Sequence, residues 1–173
     1  MRSRWMTTVV LAAALGGVGL SPVAAAPAPG SSDAEYVQMA HQGNLAEIIA
    51  GQDAQKNAKD TCVKDAGDTL VRDHTKLDAD LSALAAKGKV TLPNAPTAEQ
   101  QAALADVKAK AGSDAYDKAW LTAQEGAHTK TLALIDQQIS QGKDADTIQA
   151  AQKARPIVAM HLDMVRGGTC HTM

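Results

Sequence analysis

Phenylalanine is absent and aromatic residues make up only 2% of the chain, so large flat rings cannot fill its core. Beyond the N-terminal region the aromatics are Tyr36, Tyr116 and Trp120. The core must therefore form by close approach of segments rich in alanine and leucine, a composition that favours helix over strand. No basic cluster occurs and the formal net charge is −2, which sets nucleic acid aside as a partner. No Ser-His-acid arrangement is suggested and there are only two cysteines, so nucleophilic catalysis has no visible machinery.

The apolar residues that do occur in a run lie at the start. Arg2 and Arg4 precede a stretch over residues 5–20, followed by Ser21-Pro22-Val23-Ala24-Ala25. Positive residues, a short apolar stretch and a small-residue site are the parts of a secretory signal, expected over residues 1–25 with Ala26 as the new start. The stretch is short for a membrane span and Gly-rich, and no Cys lies near the cut to take a lipid. Removing Arg2 and Arg4 leaves 15 basic against 19 acidic residues, net −4. Residues 26–32 read as a disordered lead-in, 33–168 as the bundle and 169–173 as a tail.

Four long helices are expected. The first starts at Ser32 or Asp33 and ends near Asn57. It has two candidate inner faces. One is a seam of small residues, Ala40, Gly43, Asn44, Gly51, Ala54 and Ala58, interrupted by Glu47. The other is Val37, His41, Leu45, Ile48 and Gln52, which would leave Glu47 at a solvated border. The second helix, about 61–87, carries Val63, Ala66, Leu70, His74, Leu77, Leu81 and Leu84 at three-four spacing, with Gly88 as its C-terminal cap. Residues 89–113 hold Pro93, Pro96 and a short amphipathic piece over 97–110, long enough together to run the length of their neighbours. The third helix, 114–141, is capped by Ser113 or Asp114 and aligns Leu121, Glu125, His128, Leu132, Ile135 and Ile139. The fourth, about 145–166, aligns Ala151, Ala154, Val158, His161 and Val165, with Pro156 expected to kink it or free one carbonyl.

Cys62 and Cys170 discriminate between topologies. In an exported chain a disulfide is the default. Cys62 follows the first helix and Cys170 the last, so an up-down-up-down bundle would place them at opposite ends. A full-length crossover between the second and third helices places them at the same end. The expected fold is therefore an all-α, ferritin-like four-helix bundle with a long crossover containing a short extra helix.

Counted from the connections, Glu47, His74, Glu125, His128 and His161 fall at similar heights and form a candidate metal layer. The Glu125-x-x-His128 spacing is that of carboxylate-bridged centres in bundles. A second such pair is missing, because Val71 and Val158 stand three residues before His74 and His161. At most a mononuclear or degenerate centre remains, suited to zinc, copper or iron. The bland reading is a hydrogen-bonded His/Glu cluster that specifies the core. A softer set, Met160, His161, Met164, Cys170, His171 and Met173, would suit Cu(I) provided Cys170 is free.

The runs Gly43-Asn44-Leu45-Ala46-Glu47 and Leu70-Val71-Arg72-Asp73-His74, with Ala115-Tyr116 before His128 and Pro156 before His161, resemble a known family. These are exported bacterial proteins grouped as domain of unknown function 4142, often labelled predicted outer membrane or putative membrane proteins. The likeness covers residues 33–166. It implies a ferritin-like bundle and an envelope or extracellular location, and it implies no activity. Asp53 stands where the family has an apolar residue, and the cysteine pair is a local addition. The sequence thus reads as a secreted bundle, with a storage, scavenging or stress-protection role if a metal binds. The alternative is a non-catalytic envelope interaction or structural module whose helix faces bind a protein partner.

Overall fold

The computed structural model describes residues 32–172. The expected leader over 1–25 and most of the lead-in over 26–32 lie outside them, as does Met173. The described residues form helices α1 (Asp33–Asn57), α2 (Thr61–Gly88), α3 (Ala98–Lys108), α4 (Tyr116–Gln141) and α5 (Ala145–Val165), then a short 3-10 turn over Arg166–Gly168. α1 packs mainly on α2 and α4 mainly on α5, and the two hairpins meet through α1 against α4 and α2 against α5. α3 rests on α1 and α4.

Side chains at both ends fix the direction of each helix. At one end Asp117, in the first turn of α4, accepts from the backbone N–H groups of Lys59 and Asp60 in the α1–α2 turn, at 3.1 and 2.8 Å. The Tyr116 hydroxyl donates to Asp53 at 2.6 Å, so the polar residue at position 53 ties α1 to α4. Cys62 and Cys170 stand there at disulfide distance, Sγ–Sγ 2.00 Å and Cα–Cα 6.1 Å. At the opposite end Asp33 accepts from the N–H groups of Lys143 and Asp144, at 3.0 Å each. The chain from α2 to α4 must therefore travel the full height of the bundle, the ferritin-like crossover. Its extended part is held by α1: Gln38 and Gln42 donate to the carbonyls of Thr91 and Ala95, and the His41 ring reaches both Asp78 and the Pro93 carbonyl.

Of the two candidate faces of α1, the seam is buried through its second half: Asn44, Glu47, Gly51, Ala54 and Ala58 are inside, whereas Gln52 is exposed. The small residues permit a very close crossing with α2. A Cβ built on Gly51 would meet the Gly67 carbonyl oxygen at 2.6 Å and Val71 Cγ2 at 2.8 Å. Several helix ends differ from expectation. α2 ends at Gly88, and its C-cap is Lys89, in the left-handed conformation (φ 56°), in place of the expected Gly88. Ala115 is the N-cap of α4 and makes no side-chain cap bond, in place of Ser113 or Asp114, since Tyr116 and Asp117 already anchor that end across the bundle. α5 continues through Pro156, which sits on the exposed face.

The apolar core is divided. One cluster, around Leu70, Trp120, Leu121 and Val165, lies toward the disulfide end, and a second, around Tyr36, Leu81, Ile135 and Val158, toward the other. The sequence positions of His74, His128 and His161 fall between them on their three helices. Because the Gly51 contact is against backbone, the variant Gly51→Ala must push α1 and α2 apart; we expect a loss of about 1–3 kcal/mol in urea unfolding. A change below a few tenths would show that the crossing is not tight.

Candidate metal centre

Three helices each contribute one histidine to the layer between the apolar clusters. His74 is 2% exposed, His128 1% and His161 0%. The ring centroids are 5.1–5.7 Å apart, and one nitrogen of each ring lies within 4.8 Å of one nitrogen of each other ring. Three nitrogens on a tetrahedral ion would be about 3.4 Å apart at ordinary bond lengths, so small side-chain rotations would close the site.

The hydrogen bonds determine which nitrogens face inward. His74 Nδ1 lies 2.9 Å from Asn44 Oδ1, His128 Nδ1 is 2.9 Å from the Gln124 carbonyl, and His161 Nε2 is 3.0 Å from Asp73 Oδ2. All three partners are acceptors, so each of these ring nitrogens carries the proton and donates. The remaining nitrogens, His74 Nε2, His128 Nε2 and His161 Nδ1, are buried and have no partner among the described residues. A neutral imidazole holds a lone pair on the nitrogen that is not protonated. The layer therefore presents three lone pairs to one another with no donor between them.

The charge balance of the layer follows from burial. His74 is held well below the ordinary imidazole range, first by burial and then by its histidine neighbours. Burial likewise pushes His161 down to about 4, partly opposed by the Asp73 carboxylate. Both rings are thus neutral at neutral pH, the form that ligates metals. Asp73 is itself kept ionised chiefly by Arg72, which hydrogen-bonds to it.

Of the five residues expected in this layer, the structure brings His74, His128 and His161 together. Glu47 lies beside them. It is 7% exposed and lies near His128 and the Gln124 side chain, while its Oε2 has no hydrogen-bond partner among the described residues. Burial raises its carboxyl above the ordinary value, with His128 and Gln124 working against the shift. Glu125 is a correction to the expected set. It is only half-buried, and Oε1 accepts from the Gly167 N–H at 3.1 Å, closing the turn after α5. The buried polar position on α4 is instead Gln124, 4% exposed, because the inner face passes through Tyr116, Trp120, Gln124 and His128 and leaves Glu125 at its edge. The Glu-x-x-His spacing is present, but its Glu lies outside the histidine layer. Among the described residues the softer set is not assembled either: Cys170 is paired with Cys62, the His171 ring reaches the Arg166 carbonyl, and Met164 belongs to the apolar cluster. A carboxylate-bridged dinuclear centre does not fit these residues.

Asp73 and Gln124 had no role in the sequence reading, and Asn44 entered it only as a member of the small-residue seam. Asn44 and Asp73 left a signal, standing within the two runs around Glu47 and His74. Gln124 left a weaker one, as a polar residue four before His128 and four after Trp120.

Comparison with protein families matches residues 19–167 to the model described as Domain of unknown function (DUF4142). Neither a search among curated proteins nor one among solved structures returns a match.

The buried acid and the buried bases act on stability with opposite sign. Glu47 retains its proton in the folded chain above the pH at which an unfolded carboxyl loses it, which costs stability at neutral pH. Glu47→Gln removes that cost and is expected to raise the Tm of metal-free protein at pH 7. In the same variant that opposing carboxyl is gone and the effect of His161 can be read. As pH falls from about 6.5 toward about 4, the unfolded chain gains protons that folded His161 refuses. Stability should fall by up to roughly 3 kcal/mol over that window. A Tm that stays flat or rises over the same range would contradict the burial of neutral rings.

Proposed function

The chain belongs to the DUF4142 family, whose description assigns no activity, and from the site we propose that the protein binds one transition-metal ion through His74, His128 and His161, with Glu47 adjacent. The observation that carries this reading is the inverted hydrogen bonding of the layer. Each outward nitrogen donates to a fixed acceptor, and each inward lone pair is left without a partner. Metal-ligating histidines are oriented in this way, their second N–H given to a carboxylate, amide or backbone carbonyl. A layer that served only to specify packing would pair its buried nitrogens with one another or with donors, since unpaired buried polar atoms are costly. Three imidazoles with one carboxylate suit zinc, copper or iron.

In this reading the protein is exported. The leader-like start and the cysteine pair support an oxidising compartment outside the cytoplasm, where a buried single-ion site would serve storage, scavenging or protection from metal stress. The alternative of a helix-face interaction module has less support. Among the described residues Ile49 is the one exposed large apolar side chain, too little for a docking face.

Metal analysis of untagged protein, after stripping and reloading with zinc, copper or iron salts, should find close to one ion per chain. His128→Ala should abolish it, and Asn44→Ala, which frees the His74 ring, should weaken affinity about 10- to 100-fold. Sub-stoichiometric metal unaffected by His128→Ala would overturn the proposal.

A further inference from the structure

One imidazole outside the metal layer faces more acceptors than a neutral ring can satisfy. His41, on α1, is 8% exposed. Its Nδ1 lies 2.7 Å from Asp78 Oδ1 on α2, and its Nε2 lies 3.0 Å from the carbonyl oxygen of Pro93 in the crossover. A carbonyl oxygen and an ionised carboxylate only accept, and a neutral imidazole carries a single N–H. The two bonds therefore coexist only while ring and carboxyl together hold two protons, one in each bond. The surroundings supply no substitute. From α1 the flanking side chains are Gln38 and Gln42, which do not titrate and bond to the crossover. From α2 the ring meets Asp78, and Lys76 and Asp80 pair with each other. From the crossover it meets the Pro93 carbonyl, and Lys89 is exposed. Among the described residues no further titratable group bonds to the ring.

The Pro93 bond is the middle one of three that hold the crossover to α1. The outer two, from Gln38 to the Thr91 carbonyl and from Gln42 to the Ala95 carbonyl, measure 2.8 and 3.0 Å and are exposed to water. The His41 bond is the sheltered one and the one to a charged ring, hence the strongest of the set. Just beyond it the chain enters α3, which has little hold of its own. Only Val107, near the far end of α3, is buried. The Glu99–Lys130 ion pair to α4 is exposed on both sides and contributes little. A cavity of about 1810 Å³ lies between α3 and the helices beneath it, so packing does not replace the missing bonds. At 11 residues, α3 is too short to persist as a helix once off the bundle.

We propose that His41, Asp78 and the Pro93 carbonyl form a proton-dependent latch that holds the crossover and the start of α3 on the α1–α2 hairpin and releases them as pH rises. When the pair loses one of its two protons, the other stays between the ring and Asp78, because a lone pair facing a carboxylate is worse placed than one facing a carbonyl. The Nε2 lone pair then opposes the Pro93 oxygen, and that bond becomes a repulsion. A further proton gained at acid pH leaves both donors in place, so the latch opens in one direction only. What it moves is the outer wall of the cavity, with Val107 as the fixed end. None of its atoms belongs to the histidine layer, so it stands independently of the metal reading.

The test is made on the intact, disulfide-bonded protein. Ring-nitrogen NMR follows the protonation of His41 from about pH 5 to about pH 9, and amide hydrogen exchange, corrected for the intrinsic effect of pH, follows the protection of α3. Protection of the α3 amides should fall by about tenfold or more with the same midpoint as the His41 ring, while that of the α4 amides stays level. His41→Gln should abolish the pH dependence. Gln38→Ala should lower α3 protection at every pH and keep the midpoint. Protection of α3 that stays level while His41 loses its proton would overturn the latch, as would a pH dependence that survives in His41→Gln. A His41 ring that shows no change of protonation across the range would overturn it equally, and the wild-type measurements decide the matter even if His41→Gln does not fold.

Discussion

Three hydrogen bonds on the outer side of the histidine layer govern what its inner side can do. The Asn44 amide oxygen, the Gln124 carbonyl and the Asp73 carboxylate each take a ring proton. Once those protons are committed outward, the tautomer of every ring is set and three lone pairs converge. Each partner comes from a different kind of group on a different helix, α1, α4 and α2, so the arrangement depends on the bundle as a whole. The Asp73 bond is also the link between the layer and the surface, because Arg72 holds that carboxylate ionised from outside.

The fold supplies the precision this requires. Gly51 and Gly67 let α1 and α2 cross at near backbone contact, which brings Asn44 within reach of His74. Asp117 and Asp53 fasten the start of α4 at one end and Asp33 fastens the α4–α5 turn at the other. His128 and His161 are thereby fixed in height relative to His74. The Cys62–Cys170 pair adds a covalent tie at the end where α5 terminates. Apolar clusters above and below keep water from the rings, and the cost of burying Glu47 and three imidazoles falls on a core that contains no phenylalanine to spare. Such a cost is expected where function competes with stability.

Much of this was legible in the chain itself. The spacing of Leu70, His74 and Leu81 marked the inner face of α2. The positions of Cys62 and Cys170 required a full-length crossover, and the height count brought His74, His128 and His161 to one level. Rotation about the helix axis was harder to read than height. Glu125 and Gln124 are one residue apart, about a quarter turn, and which of them faces inward depends on Tyr116 and Trp120 packing toward α1, a tertiary fact. The Glu-x-x-His spacing favoured Glu125, and the structure uses it to hold Gly167 instead. The two faces of α1 were likewise undecidable until α2 was in place, because small residues signal a close neighbour without saying which element provides it.

The central claim is that the inward nitrogens are unprotonated and the outward ones are not. The most direct measurement is the nitrogen NMR spectrum of the histidine rings in metal-free protein near pH 7.5, repeated after one equivalent of zinc. His74 and His128 are expected as Nδ1–H tautomers and His161 as the Nε2–H tautomer, with zinc shifting His74 Nε2, His128 Nε2 and His161 Nδ1 alone. Imidazolium rings, the opposite tautomers, or a spectrum that zinc leaves unchanged would contradict it.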